Sequence, residues 1–141
     1  MKMSTRGRYG LRVMMELAKS YGEGPVLVDE IARAQGISGK YLHVLMGGLR
    51  SSGLILAARG RSGGYALAKK PSAITLLDVV SAMEGRTAPV DCVADRKVCP
   101  RSRRCAARDV WCDVATAIDG VLSSLTLEQF AARQKAKRRG A

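Results

Sequence analysis

The sequence predicts a mainly α-helical fold with a small β-hairpin wing: a winged helix-turn-helix followed by a long C-terminal dimerisation helix. Three observations carry that expectation. Two short helical segments flank the glycine-containing turn QGIS at 35–38. Two short apolar runs around a glycine-rich, arginine-bearing turn follow at once. Near the C-terminus an apolar stripe persists over about 20 residues, roughly 30 Å of helix.

In chain order, residues 8–21 read as an amphipathic helix. Gly10, Val13, Met14, Leu17, Ala18 and Tyr21 recur at i, i+3, i+4 and i+7, with Arg12, Glu16 and Lys19 on other faces. Gly22 and Gly24-Pro25 stop it. A second helix over 28–35 buries Ile31 and Ala32 and ends at Gly36. Ser38 supplies the N-cap of a third, which turns Tyr41, Leu42, Leu45, Met46 and Leu49 inward and leaves Lys40, His43, Gly47 and Arg50 on other faces. Strands at 54–58 and 65–68 enclose the turn 59–64, and Pro71 closes the hairpin. Thr75 with Asp78 forms a capping box for a helix over 76–84. Residues 85–100 read as an irregular loop. A long helix from about 103 carries the stripe Val110, Val114, Ala117, Ile118, Val121, Leu122 and Leu125. The stripe packs either against a second copy, the favoured reading, or back on its own domain. A short helix over 126–132 is expected to precede a basic disordered tail, 133–141, which meets DNA phosphates or is simply solvated. This gives a DNA-binding domain at 1–70, a sensor loop with dimerisation helices at 71–132, and the tail.

The formal net charge is +12 on 141 residues. Residues 1–70 hold 12 Lys/Arg against 4 Asp/Glu, 71–132 hold 7 against 8, and 133–141 hold 5 against none. A basic head joined to a near-neutral middle points to a polyanion-binding module with something appended. In a helix-turn-helix the second helix enters the major groove near its N-terminus, which nominates Ser38, Lys40, Tyr41 and His43 as DNA contacts. His43 is the only histidine, and its place beside Lys40 favours DNA over metal, a plain surface histidine being the alternative. Arginines on a slim glycine-flanked turn suit a narrow minor groove, so Arg59 and Arg61 are the wing contacts.

All four cysteines, Cys92, Cys99, Cys105 and Cys112, lie in the middle segment. With no export signal or membrane span read from the sequence, a cytoplasmic location is expected, and clustered thiols there imply metal or redox chemistry rather than disulfides. Zinc is disfavoured because no C-x2-C to C-x4-C knuckle occurs. Direct thiol switching, or inert cysteines, remains the other reading. Catalysis is disfavoured too: one histidine leaves no nucleophile–base pair, and RGRSGG lacks the phosphate-loop pattern.

STRGRYGL at the start, GISGKYLHVLMGGLRSSGL through the reading helix, RGRSGGYALAK at the wing, and three cysteines before a Trp-containing long helix together resemble the Rrf2 family, over about residues 1–130. The resemblance implies a homodimeric regulator of transcription on palindrome-like sites in double-stranded promoter DNA. It also implies a role for Cys92, Cys99 and Cys105, spaced C-x6-C-x5-C, as ligands of an iron–sulfur cluster, 2Fe–2S or 4Fe–4S. Cluster assembly or loss would then re-order the loop and respace the two winged domains. Cluster-free members governed by a protein partner supply the alternative. Two departures stand out. His43 and Val44 replace the acidic and amide residues frequent in the family's reading helices. Arg108 stands where some members place a histidine ligand, and a guanidinium ligates poorly. A ligand from the partner's first helix would come from the positions of Arg8 and Arg12. The fourth ligand is therefore open among Asp109, Cys112, a partner-chain residue and an external thiol or water. Cys112 lies about 10 Å along a continuous helix from Cys105, and Asp109 about one turn away.

Overall fold

The computed structural model describes residues 2–61 and 63–141; Ser62, within the expected wing turn, lies outside the described residues. Helix α1 (Thr5–Lys19) begins three residues before the expected start. Two side chains account for the extra turn. Ser4 caps it, its Oγ accepting from the Gly7 N–H, and Glu84 reaches across to accept from the same N–H at 2.9 Å and from the Ser4 hydroxyl. Both accept from the one Gly7 N–H, a donor that a helix N-terminus leaves orphaned. The helix ends at Lys19, so Tyr21, expected on the apolar face, lies beyond it and is exposed.

Helices α2 (Val28–Gln35) and α3 (Gly39–Ser51) form the helix-turn-helix. Gly36 makes the turn possible: it adopts φ +63°, ψ 39°, and its N–H closes on the Ala32 and Arg33 carbonyls. This is the left-handed helix end that glycine adopts without steric cost. Strands β1 (Ile55–Ala58) and β2 (Gly64–Leu67) pair antiparallel, Ile55 opposite Leu67 and Ala58 opposite Gly64. The hairpin is anchored at its base by a two-bond bridge between Tyr65 and Val26, at 2.8 and 2.9 Å. Gly64 lets that bridge form, since a Cβ there would stand 2.2 Å from the Val26 carbonyl oxygen.

Helix α4 (Leu76–Glu84) opens on the expected Thr75–Asp78 capping box and lies along α1. The stretch 85–100, expected to be irregular, contains a single-turn helix, α5 (Asp91–Ala94), and a 3-10 turn at Arg96–Val98. Helix α6 (Ala106–Ser123) is the long helix, and α7 (Leu127–Arg139) the last. Here the expectation of a disordered tail over 133–141 is corrected, because the final helix runs on to Arg139. Thr126 and Gln129 form a second capping box, the segment LEQFAARQKAKRR consists almost wholly of strong helix formers, and its last-turn cations favour the helix dipole. A basic run therefore does not imply disorder here.

One core fills the molecule. Val13, Met14, Leu42, Leu45, Met46, Leu49 and Ile55 join Ile74, Val79 and Leu127 in a continuous buried cluster, so the core does not stop at residue 70. The starts of α4 and α7 are stitched by antiparallel bonds, Leu76 N–H to Leu125 O at 2.9 Å and Leu127 N–H to Ile74 O at 2.8 Å. Among the described residues no helix is long and apolar enough to cross a membrane.

Candidate nucleic-acid interface and cysteine segment

The apolar phase of α3 buries Leu42, Leu45, Met46 and Leu49, which forces Lys40, His43, Val44, Gly47 and Arg50 onto the exposed face. Ser38 is exposed and caps the helix, its Oγ accepting from the Tyr41 N–H at 3.2 Å. Tyr41 differs from the other residues nominated to touch DNA. It is half-buried, its ring meeting Tyr9 of α1 edge-on at 6.0 Å between centroids. On the wing, Arg59 and Arg61 are both exposed, and the turn is held by the Gly63 N–H donating to Gly60 O at 3.0 Å.

A polar clamp behind the reading helix was not foreseen. Arg12 of α1 donates from Nε to Gln35 Oε1 at 2.7 Å and from Nη2 to Gln35 O at 2.8 Å, while Gln35 Nε2 donates to Glu16. The Arg12 guanidinium also lies 4.9 Å from the centre of the Tyr9 ring. Gln35, only 7% exposed, is the last residue of α2, so α1 grips the helix-turn-helix at its turn through charge-assisted hydrogen bonds. The signal was present in the pattern: Gln35 falls four residues after buried Ile31, a polar side chain on the apolar stripe.

Two packed helices joined by a left-handed glycine, followed by a hairpin anchored on the segment before them, make a winged helix. Residues 3–133 match the family described as "Rrf2: Iron-dependent Transcriptional regulator". The chain belongs to the Rrf2 family. It is similar to the HTH-type transcriptional regulator CymR of Bacillus subtilis strain 168, 42% identical over 131 residues that cover 93% of this chain and 90% of the relative. It is 36% identical to the HTH-type transcriptional regulator IscR of Photorhabdus laumondii, over 96% of this chain and 82% of that one. The solved structure of B. subtilis CymR (YrzC), described as the global cysteine regulator, superposes with a TM-score of 0.78 at 40% identity, covering 94% and 98% of the two chains. This Rrf2 protein is thus a transcriptional regulator, a class that works by binding rather than catalysis.

The cysteine segment of this Rrf2 protein is built differently from a ligand cage. Cys92 lies in α5, Cys99 follows the 3-10 turn, Cys105 caps α6 and Cys112 sits inside it; all four are half-buried free thiols. Among the described residues no three or more Cys, His, Asp or Glu side chains come together to hold a metal. As arranged here, Cys92, Cys99 and Cys105 are not gathered into one such set, either with Asp109, exposed on α6, or with Cys112. Side-chain hydrogen bonds to backbone carbonyls hold the segment. Arg108 is 7% exposed and donates from Nε to the Cys92 carbonyl at 2.8 Å, bolting α6 to α5. Arg86 donates to Ala94 O at 2.6 Å, and buried Ser102 to Cys99 O at 2.8 Å. Among the described residues no carboxylate lies within 4.0 Å of Arg108, the one ion pair being Lys19–Glu16.

Proposed function

We propose that the protein is a homodimeric regulator that grips promoter duplex through α3 and the wing and receives its signal at the cysteine segment. The carrying observation is the exposed polar face of α3, with Ser38, Lys40 and His43, set beside a wing whose arginines are free of internal partners among the described residues. Phosphate neutralisation by such cations supplies affinity and makes it salt-dependent, while base-edge and minor-groove contacts supply sequence preference. Tyr41 contributes by fixing the reading helix on Tyr9, whose ring also carries the Arg12 guanidinium. Dimerisation is assigned to α6, where Val110 and Val121 are 58% and 62% exposed on a helix whose only buried residue is Arg108. A two-fold pair would place two reading helices about one helical turn of DNA apart.

For the signal, the unpaired thiols favour direct thiol chemistry or a protein partner acting at residues 85–105 over a preformed cluster cage. The test begins with duplexes selected from a random pool and titrated with wild type, Arg59→Ala and Cys92→Ala. Arg59→Ala should weaken binding by about 1–3 kcal/mol and lower the salt slope by about 1. Unchanged affinity and slope would remove the wing from the interface. Cys92→Ala should blunt the change in duplex affinity produced by oxidant or partner. Brown anaerobic protein carrying iron and acid-labile sulfide would instead assign the thiols to an iron–sulfur cluster.

A further inference from the structure

We propose that the basic end of α7 is a second, sequence-independent phosphate-binding element flanking the helix-turn-helix; this rests on the DNA-binding reading above. The helix is anchored at its start by the Thr75–Thr126 pairing and by Leu127, which is fully buried. From there the row Leu127, Phe130, Gln134 and Arg138, spaced three and four apart, runs along the side facing α1. Its far end reaches the DNA-binding module. Gln134 and Arg138 share a cleft of about 260 Å³ with Arg12, Ala34 and Gln35. Ala34 and Gln35 are the last two residues of α2, and only Gly36 and Ile37 separate them from Ser38 at the head of the reading helix. In helix-turn-helix docking the first helix crosses the sugar–phosphate backbone while the second enters the groove. The end of α7 is therefore delivered to the flank of the element that meets the backbone.

The charge at this end is not explained by the protein itself. Arg133, Lys135, Lys137, Arg138 and Arg139 stand within about 9 Å of helix, with no acidic residue among 133–141 and no carboxylate within 4.0 Å among the described residues. The helix dipole rewards cations in the last turn only. Arg133 with Lys137, and Lys135 with Arg139, are like-charged pairs at i, i+4 that oppose helix formation. A row of phosphates removes that repulsion. Because this end enters no groove, it adds affinity equally to all sequences.

The test uses the full-length chain and both the selected duplex and a scrambled one, titrated between about 50 and 200 mM salt. Lys137→Gln with Arg139→Gln leaves Arg138 in its cleft; Lys135→Gln and Arg138→Gln are then added. Each phosphate that is no longer neutralised should lower the log–log salt slope by about 0.9. Affinity should fall by the same factor for both duplexes, so their ratio stays fixed, and circular dichroism should report an intact helix. Replacing Arg138 and Arg139 by Lys should restore the slope. Wild-type binding with slope and affinity unchanged in the Gln variants would overturn the proposal and leave this end solvated or turned to an acidic protein. A changed ratio between duplexes would overturn its sequence independence. Wild type that binds no duplex at low salt would sink the DNA-binding reading itself.

Discussion

The reading head and the α6 arm are made of similar residues and held in opposite ways. In α3, Leu42, Leu45, Met46 and Leu49 are all sealed from solvent by side chains of the same chain. In α6, twice as long as α4, Val110, Trp111 and Val121 stay exposed and the one buried side chain is a cation. The head is sealed within its own chain, by a core it shares with α4 and the start of α7. The arm carries apolar surface worth about 1.5–3 kcal/mol per side chain if covered, which it realises only against a second surface. Stability and the proposed assembly are therefore divided between the two regions and can be broken separately.

The largest effect should come from the head. Leu45→Ala removes a fully buried side chain at the centre of the core and should cost about 2–5 kcal/mol, read from the denaturant midpoint. A loss under about 1 kcal/mol would show that the head relies on outside support. Next is Val121→Asp, which should raise the dissociation constant of the proposed dimer about 100-fold, near 2.7 kcal/mol, in sedimentation equilibrium, with the monomer's unfolding midpoint kept. An unaltered dimer would move the seam away from α6. The smallest effect concerns the bolt inside the arm. Arg108→Ala should cost about 1.5 kcal/mol, the low end for a charged hydrogen bond, because the half-buried Cys92 carbonyl can turn to water. Faster amide exchange confined to residues 91–112 would confirm it, and unchanged exchange would show that Arg108 holds nothing.

The same division explains what could be read from the residues alone. Helix α2, the Ser38 cap and the Thr75–Asp78 box follow from local chemistry, and the structure places them where the pattern does. The winged architecture followed because its turn and hairpin are also local. Contacts between distant segments were not legible. Gln35 stands out as a polar side chain on an apolar stripe, but nothing names Arg12, 23 residues back, as its partner, and nothing near Cys92 announces Arg108. The α7 boundary was misplaced for a different reason: a run of five cations suggests solvation, but helix propensity and the Thr126 cap prevail over it. Spacing likewise could not reveal how the four thiols are placed, because that depends on where three segments of backbone converge.

The stitch between Leu76 and Leu125, and between Ile74 and Leu127, has a consequence for how such proteins diversify. The chain departs on its excursion through α4, the cysteines and α6 and comes home beside its point of departure. An excursion with joined ends is a cassette: beyond α4, which belongs to the shared core, its length and chemistry can be rewritten while the gripping half keeps its shape. One DNA-holding chassis can thereby be refitted for different cues by exchanging what lies outside the clasp.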